Sequence, residues 1–530
     1  MPAPSTPVAP SSRWARLLFP SVDDLIFLTL VLSLTVSSLA SRLLGDAGIG
    51  WHIRNGDLML HAHAVTRTDP FSSTMAGSAW YAWEWLYDGL IAAVHSRLGL
   101  NGVVLFSAVV IAATFACTFR LMLARGGNLP VSVLLLLLAA GAAMIHFLAR
   151  PHVLSWLFTV AWFQVLDSFE IRPERWRRLF WLPVLMLGWV NLHGGFLMGF
   201  ALLAIYLLGA FIRWRSAPGA VVRDEGKRST QRLSVITTLC LGASLVNPYG
   251  YKLHVHVYEY LSNRFLMDHI DEFLSPNFHG VAQQCFAVLL VISLIALAVR
   301  RKALRPSQLL LTLFAAYSGL YATRNLPVSS IFLSLLAAPW LTQGMQAAAA
   351  DVNVAPRLRR LFQQVESFSV RMGRVESEAR GHLWPVLGCG VCLWIAAHGG
   401  MFGGRQFMNA QFDAKRFPVE AVEMIVQQGI RQPIFCPDSW GGFLIYRLYP
   451  QTKVVLDDRH DLYGEAFLKN YLKVIHAEPG WADVLDGMHV AWVLAPAGSA
   501  LSNLLKEVSA WKTVHQDETA ILFERVGTEK

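Results

Sequence analysis

Residues 25–52, LIFLTLVLSLTVSSLASRLLGDAGIGWH, hold a long apolar run with acidic and aromatic residues at its end. The run Leu25–Leu44 matches the roughly 20 residues that an α-helix needs to cross a bilayer. It lacks the small-residue cleavage site of a signal peptide, so we interpret it as a retained membrane helix. Asp46 and the pair Trp51–His52 then fall where hydrocarbon gives way to water, which makes this boundary a candidate for a functional site.

The composition of the whole chain is that of a polytopic membrane protein. Of its 530 residues, 54% are hydrophobic and only 15% are charged. Basic loops at the inner membrane face account for the formal net charge of +9. We therefore expect the lipid bilayer, and no nucleic acid, as a partner.

Apolar runs along the chain are long enough for about 11 membrane spans. An N-terminus inside and a C-terminus outside place every basic cluster in the cytoplasm, where Lys and Arg are enriched. A twelfth span at Leu86–Leu100 would move Arg300–Lys302 to the outside, so that segment is predicted to lie along the membrane surface. The predicted spans are residues 24–44, 102–123, 131–148, 152–169, 179–192, 196–213, 233–248, 281–299, 306–323, 326–343 and 383–398.

The sequence divides into three parts. Residues 1–12 are rich in Pro and Ser, and residues 1–23 are predicted to be a disordered cytoplasmic N-terminus. Residues 24–398 form the predicted transmembrane domain, with a long outer loop at 45–101. Residues 399–530 alternate predicted strands and helices, which indicates a small α/β domain outside the membrane. Its predicted strands are 433–436, 453–456, 490–494 and 519–525, and its predicted helices are 417–429, 464–477 and 499–508.

Three acidic residues of the first outer loop are candidate catalytic groups. Asp46 follows the first span directly, although a solvated loop carboxylate is the plain alternative. Asp69, in Thr68–Ser72, is either a turn former or a site residue. Glu84 lies between Trp83 and Trp85, where loss of hydration raises a carboxyl pKa and suits the group to proton transfer.

Further polar residues fall at the same predicted ends of the spans. An outer Arg opposes the charge rule, so Arg150 and Arg324 are predicted to pair with an anion, either a phosphate or a protein carboxylate. Glycines after His193 permit a bend that turns its side chain into a cavity. The candidate substrate-binding residues are His52, Arg150, His152, Asn191, His193, Glu272 and Arg324.

In its layout the chain resembles the GT-C superfamily of polytopic membrane glycosyltransferases. That superfamily includes protein mannosyltransferases, oligosaccharyltransferase catalytic subunits and lipid A aminoarabinose transferases. Asp46 directly after the first span and a C-terminal domain outside carry the resemblance. The segments 68–72, 84–86, 191–196, 440–442 and 457–461 look like those of a bacterial branch of the superfamily.

The resemblance implies inverting transfer of a sugar from a polyprenyl-phosphate carrier to a lipid, glycan or protein acceptor at the outer face of the bacterial inner membrane. Asp46 would be the general base, and Arg324 and Arg150 would neutralise the departing phosphate. Glu84, Asp69, His193 and Glu272 would orient acceptor or sugar hydroxyls. The first loop has no DxD motif and the chain has no WWD motif, so a divalent cation and the acceptor stay open.

Two other classes of function remain alternatives. A transporter or flippase would need ionisable residues near the membrane midplane and paired halves with broken helices. A non-catalytic envelope polysaccharide assembly protein would use residues 399–530 to bind a partner. The polar residues of this chain fall at predicted span ends, which favours the glycosyltransferase.

Overall fold

The computed structural model describes residues 18–36, 38–378 and 382–527. Helices dominate the first three quarters of the chain. They are α1 (Val22–Val36), α2 (Leu39–Leu43), α3 (Gly48–Ala62), α4 (Trp85–Ala124), α5 (Leu129–Ala143), α6 (His152–Ile171), α7 (Trp181–Leu192), α8 (Leu197–Ser216), α9 (Ala220–Ser244), α10 (Lys252–Ser262), α11 (Arg264–His269), α12 (Val281–Val299), α13 (Pro306–Tyr321), α14 (Leu326–Ala350), α15 (Pro356–Glu378) and α16 (Leu383–Ala397).

Within the described residues, five helical segments are long and apolar enough to cross a membrane. They are Trp85–Ala124, Leu129–His146, Gly194–Ser216, Val281–Val299 and Thr323–Ala350, and α16 is a shorter apolar helix. A mostly helical membrane protein is therefore confirmed. The count of about 11 spans and the N-inside orientation stay predictions.

The first predicted span and the first outer loop differ in detail from the expectation. The predicted helix 24–44 is divided, because α1 ends at Val36 and α2 is a separate short helix. The predicted outer loop 45–101 contains all of α3 and the beginning of α4. Gly99 breaks α4 with φ 59° and ψ −158°, a conformation that suits a residue without a side chain. Helix α4 thus consists of two parts. The first corresponds to the predicted surface segment Leu86–Leu100, and the second corresponds to the predicted span 102–123.

The last quarter of the chain forms an α/β unit around a four-stranded sheet. Its strands are β3 (Ile434–Phe435), β4 (Trp492–Pro496), β5 (Trp511–Gln516) and β6 (Ala520–Arg525), in the order β3-β4-β6-β5. The pair β3/β4 is parallel and the other pairs are antiparallel. A small hairpin of β1 (Met401–Phe402) and β2 (Arg405–Gln406) precedes it. The helices are α17 (Val419–Gln428), α18 (Asp438–Leu448), α19 (His460–Ile475), α20 (Trp481–Gly487) and α21 (Ala500–Glu507).

The predicted small sheet domain is present, with two differences in its elements. The predicted strand 453–456 makes only single bridges, from Val454 to Ile434 and to Ser72. Strand β5 and helices α18 and α20 were not predicted from the sequence. At the N-terminus, residues 1–17 of the predicted disordered segment 1–23 lie outside the described residues, and α1 already begins at Val22.

Charged side chains collect at two opposite ends of the helices. At one end, Arg125 just after α4 pairs with Asp167 near the end of α6, and both side chains are buried. Glu84 and Arg150 lie just before the first residues of these same two helices. They therefore belong to the other end, where the candidate site is found.

Candidate active site

Arg150 lies between two carboxylates that are far apart in the sequence. Its Nη1 donates to Asp46 Oδ1 at 2.6 Å and to Asp458 Oδ2 at 3.0 Å. Asp46 also accepts the Gly48 N–H at 2.8 Å, and Asp458 accepts the Trp51 indole N–H at 2.9 Å. The Arg150 side chain remains 24% exposed, so a ligand can reach it. Of the two predicted kinds of anion, the protein carboxylates are the partners seen in the structure.

Arg459 fixes the segment 457–461 against the first loop. It donates to Asp457 through Nε at 2.7 Å and Nη2 at 2.6 Å, and Nη2 is also 2.8 Å from Asp69 Oδ1. Its guanidinium carbon is 4.5 Å from the ring centre of Trp80, a cation–π contact. The ion-paired side chains are at most 2% exposed. Asp69, predicted to be catalytic, is thus part of a buried attachment between two parts of the chain.

Glycine contacts join α18 to α3 beside this segment. A Cβ on Gly442 would lie 2.2 Å from the carbonyl oxygen of Ala47, and one on Gly50 would lie 2.1 Å from the carbonyl oxygen of Gly442. Such distances require residues without side chains on both helices. The sequence feature Trp440–Gly442 therefore lies at a close contact between two helices, and this contact holds the sheet unit next to the site.

Glu84 immediately precedes α4 and is flanked by two imidazole rings. It is only 8% exposed. Its Oε2 lies 3.6 Å from His52 Nε2, and its Oε1 lies 3.6 Å from His193 Nε2. Behind these rings, His52 Nδ1 is 2.6 Å from Asp88 Oδ1, and His193 Nδ1 is 2.8 Å from Ser155 Oγ.

Burial and charge give the groups of the site different protonation behaviour. Burial raises the pKa of Glu84 to about 8, although Arg150 and Arg324 favour its charged form. Burial also lowers the pKa of His52 well below its ordinary value, so this ring is neutral at pH 7. Burial raises the pKa of Asp458 to about 6, against the opposite effect of Arg150. The site therefore combines a carboxyl group that holds its proton with a permanent cation.

Arg324 and Glu272 form a second ion pair near Arg150. Arg324 Nη1 is 3.5 Å from Glu272 Oε1, and its guanidinium carbon is 4.3 Å from the ring centre of Phe273. The charges of Asp46, Asp458, Glu84 and Glu272 all act on Arg150. His152 follows Arg150 by two residues, with its Nε2 2.8 Å from the backbone oxygen of His146. Arg150, Arg324 and His152 thus all lie close enough to Glu272 to act on its charge.

Asn191 is in a supporting position. It is buried, its Oδ1 accepts the indole N–H of Trp85 at 2.8 Å, and its Nδ2 donates to the backbone oxygens of Leu187 and Val246 at 2.8 and 2.9 Å. Because Trp85 is the residue after Glu84, Asn191 positions the start of α4. Its side chain is committed to the protein.

Sequence reasoning did not find Asp88, Asn55 and Ser155. Asp88 lies within an apolar stretch, and its signal is the spacing of four residues from Glu84, which places both acids on one helix face. His52 and Asn55 share the corresponding spacing of three on α3. No comparable local signal connects Ser155 with the site.

Two groups of metal-ligand side chains occur among the described residues, and both differ from the expected site. The first group lies at the start of α1 and consists of Asp23, Asp24 and His382. The candidate site residue Asp46 instead comes after the C-terminal ends of α1 and α2. Arg120 lies 3.4 Å from Asp23 and thus already supplies a cation there. The second group, Glu420, His515 and Asp517, is in the sheet unit and half-exposed or exposed. Arg150 contacts Asp46 and Asp458 of the candidate site, and the two groups above are the described residues whose ligand atoms lie close enough to hold a metal ion.

Comparison with known proteins gives matches to solved structures. No protein-family model and no curated protein sequence matches the chain. Oligosaccharyltransferase AglB from Archaeoglobus fulgidus, in complex with an inhibitory peptide and a dolichol-phosphate, matches with a TM-score of 0.55 and 10% identity, over 96% of this chain and 74% of that one. The apo oligosaccharyltransferase from the same organism gives 0.53 and 11%, over 92% and 70%. ArnT from Cupriavidus metallidurans bound to undecaprenyl phosphate covers 95% and 97% at 14% identity, but its TM-score of 0.47 is too low to support an argument.

The chain therefore has the fold of the matched oligosaccharyltransferase structures, and its apolar helices are followed by a small sheet unit. The resemblance inferred from the sequence is confirmed at the level of the fold. At these identities, the activity is a separate question.

Proposed function

We propose that the protein is a membrane glycosyltransferase that moves a sugar from a polyprenyl-phosphate carrier to a lipid, glycan or protein acceptor. The observation that carries this proposal is the position of Arg150. It joins Asp46, at the end of the first helices, to Asp458 of the sheet unit, beside the buried Glu84. The fold supports the proposal, since its matched relatives are oligosaccharyltransferases and one of them holds a dolichol-phosphate.

Arg150 and Arg324 are the proposed contacts of the carrier phosphate. A guanidinium group offers two parallel N–H donors, which suit phosphate oxygens. The negative charge on the phosphate grows as its bond to the sugar breaks, so a fixed cation stabilises the transition state more than the ground state. The isoprenoid tail would stay in lipid while the phosphate lies at the helix ends.

A first-loop carboxylate is the proposed acceptor of the proton from the attacking hydroxyl group. Of the three predicted acids, Asp46 and Glu84 act on Arg150, whereas Asp69 is tied to Arg459. When a phosphate takes over Arg150, Asp46 loses its partner and can bind the acceptor hydroxyl. Attack on the face opposite the phosphate would invert the anomeric configuration.

The placement of the polar residues favours a transferase over a transporter. Arg150, Glu84, His193 and Arg324 all lie at or between helix ends. A transporter site is expected near the middle of broken helices. In a bacterial cell we place the site at the outer face of the inner membrane, with the sheet unit in the periplasm.

Transfer of radiolabel is the direct test. Purified protein is incubated with radiolabelled polyprenyl-phosphate sugars and membrane extract, with and without EDTA. We expect label to reach an acceptor, and we expect Asp46→Asn to abolish transfer, since the variant loses a carboxylate beside Arg150. Protein level and membrane insertion should stay normal.

Asp57→Asn is the matched control, because Asp57 is on α3 and pairs only weakly with Arg54 at 3.8 Å. It should retain transfer. Full activity of Asp46→Asn would remove Asp46 from the mechanism, and no transfer from any carrier-linked sugar would contradict the proposed function. Loss of activity with EDTA would show a metal requirement.

A further inference from the structure

A line of polar side chains leads from the candidate site into the protein interior. Asn55 Nδ2 donates to Asp88 Oδ2 at 2.6 Å, and Asp88 Oδ1 is 2.6 Å from His52 Nδ1. The other ring nitrogen, His52 Nε2, faces Glu84 Oε2 at 3.6 Å. Asn55, Asp88 and His52 are fully buried. These three side chains are therefore shielded from bulk water.

The hydrogen bonds of His193 fix which oxygen of Glu84 holds a proton. His193 Nδ1 accepts the Gly195 N–H at 2.9 Å and faces Ser155 Oγ at 2.8 Å. A neutral imidazole has a single N–H, so the proton of His193 is on Nε2, directed at Glu84 Oε1. Any carboxyl proton of Glu84 then belongs on Oε2, which faces His52. A protonated Nε2 also has no lone pair to offer a metal ion.

His52 is poised to exchange protons in both directions. Its Nε2 is buried and has no hydrogen-bond partner at normal distance among the described residues. Its Nδ1 is in short contact with Asp88. In one arrangement, Glu84 carries a proton, His52 carries its proton on Nδ1, and Asp88 is ionised. In the other arrangement, the Glu84 proton has moved to His52 Nε2 and the His52 Nδ1 proton has moved to Asp88. Asp88 is then neutral and Glu84 is ionised. The two arrangements have the same net charge.

We propose that Asp88, His52 and Glu84 form a proton relay, and that Glu84 is the group that accepts the proton of the attacking hydroxyl. This inference rests on the proposed function and specifies which first-loop acid receives the proton. Asp46 then keeps the role of holding and releasing Arg150. Asp88 and His52 act through Glu84 and are positioning residues.

The bonds and protons of the proposed step balance. The acceptor O–H bond breaks, and its oxygen forms a bond to the anomeric carbon. The bond between that carbon and the carrier phosphate breaks, and its electron pair leaves on the phosphate oxygen. The acceptor proton goes to Glu84, whose own proton has moved to His52 Nε2 while the Nδ1 proton has moved to Asp88.

Only a small movement separates the structure from a connected relay. Hydrogen bonds between nitrogen and oxygen measure about 2.7–3.2 Å, so the gap between His52 Nε2 and Glu84 Oε2 must close by less than about 1 Å. Such contacts commonly shorten only when the substrate is bound.

The dependence of kcat on pH distinguishes a relay from a structural role. At about pH 7, His52→Gln should lower kcat about 100-fold, because Glu84 keeps its proton and general-base assistance is lost. At about pH 9.5, above the pKa of Glu84, solvent removes that proton and the loss should be less than about tenfold. The groups that face Glu84 or act on its charge are His52, His193, Asp88, Arg150, Arg324, Asp458 and Asp461.

His61→Gln is the matched control, since His61 is on the same helix α3, is exposed, and has its Nδ1 2.7 Å from the Asp57 backbone oxygen. It should change neither value. Equal loss for His52→Gln at both pH values would overturn the relay. The same profile is expected for Asp88→Asn.

Two further measurements test the relay, and the first of them needs only the wild-type protein. The rate in mixtures of H₂O and D₂O should vary in a curved manner, because more than one proton moves, and a linear dependence would contradict the relay. Infrared spectra at neutral pH without substrate should show a protonated carboxyl band that is absent in Glu84→Gln. If that band is unchanged in Glu84→Gln, the relay is wrong, whereas absence of any sugar transfer by wild-type protein counts against the proposed function instead.

Discussion

At Arg150, the carboxylates of Asp46 and Asp458 and the proposed donor phosphate all require the same guanidinium group. Asp458 competes with the donor phosphate for Arg150 and, unlike Asp46, has no proposed role with the acceptor. Removing the charge of Asp458 should therefore strengthen donor binding. We expect Asp458→Asn to lower the KM for the carrier-linked sugar about tenfold, which corresponds to about 1.4 kcal/mol, with a smaller effect on kcat.

Asp483→Asn serves as the control for this prediction, because Asp483 is an exposed residue of α20 in the same sheet unit. Its KM should equal that of the wild type. An unchanged KM in Asp458→Asn would mean that the donor phosphate does not bind at Arg150. A raised KM would make Asp458 a direct donor contact.

The sequence predicted the residue types of the site better than their partners. Arg150 was expected to pair with an anion because an Arg at the outer face contradicts the charge rule, and it does pair with one. Its contact with Asp458 joins residues 308 positions apart, and only tertiary packing brings them together. Asp88 was missed for a different reason, since its spacing of four residues from Glu84 is a weak signal in an apolar stretch, and its partner His52 comes from another helix.

At the scale of elements, the close contact between α3 and α18 determines where Asp458 lies. A methyl group on Gly442 would lie 2.2 Å from the backbone oxygen of Ala47, so the two helices must separate. We expect Gly442→Ala to reduce transfer at least about tenfold and to lower the melting temperature, because overpacking costs about 1–3 kcal/mol. Activity and thermal unfolding of the purified variant measure both effects.

Gly487→Ala is the matched control, because nothing lies within 4 Å of a Cβ at Gly487 in the same unit. It should behave like the wild type. Normal activity of Gly442→Ala would show that the sheet unit can move away from the helices without affecting the site.

The lengths of the apolar runs predicted the helices of the membrane part, but they did not predict where those helices are interrupted. Most predicted spans correspond to single helices, but α1 ends at Val36 within the predicted span 24–44. In the sheet unit, β3 has only two residues and Val454 pairs through single bridges. Such short strands depend on neighbours that are distant in the sequence, so local pattern gives them weak signals.

For the whole molecule, the proposed function depends on which end of the helices faces outward. Glu272 precedes α12 and Arg324 follows α13, so both lie at the site end of this helix pair. The connection 300–305, with Arg300, Arg301, Lys302 and Arg305, lies at the opposite end. If the site uses a carrier at the outer face, this basic connection must be cytoplasmic, as the inner-positive bias also requires.

Reporter fusions test this orientation directly. A reporter that is active only in the cytoplasm should be active when fused after Lys302 and inactive when fused after residue 527, and a reporter that needs the periplasm should show the reverse pattern. An accessible cysteine introduced at exposed Glu507 provides a check on the intact protein, because a membrane-impermeant reagent should label it in whole cells. Cytoplasmic activity at residue 527 together with periplasmic activity at Lys302 would place Arg150 and Glu84 on the inner side. The donor would then have to be presented in the cytoplasmic leaflet, and the proposed transfer at the outer face would be wrong even if the purified protein were active.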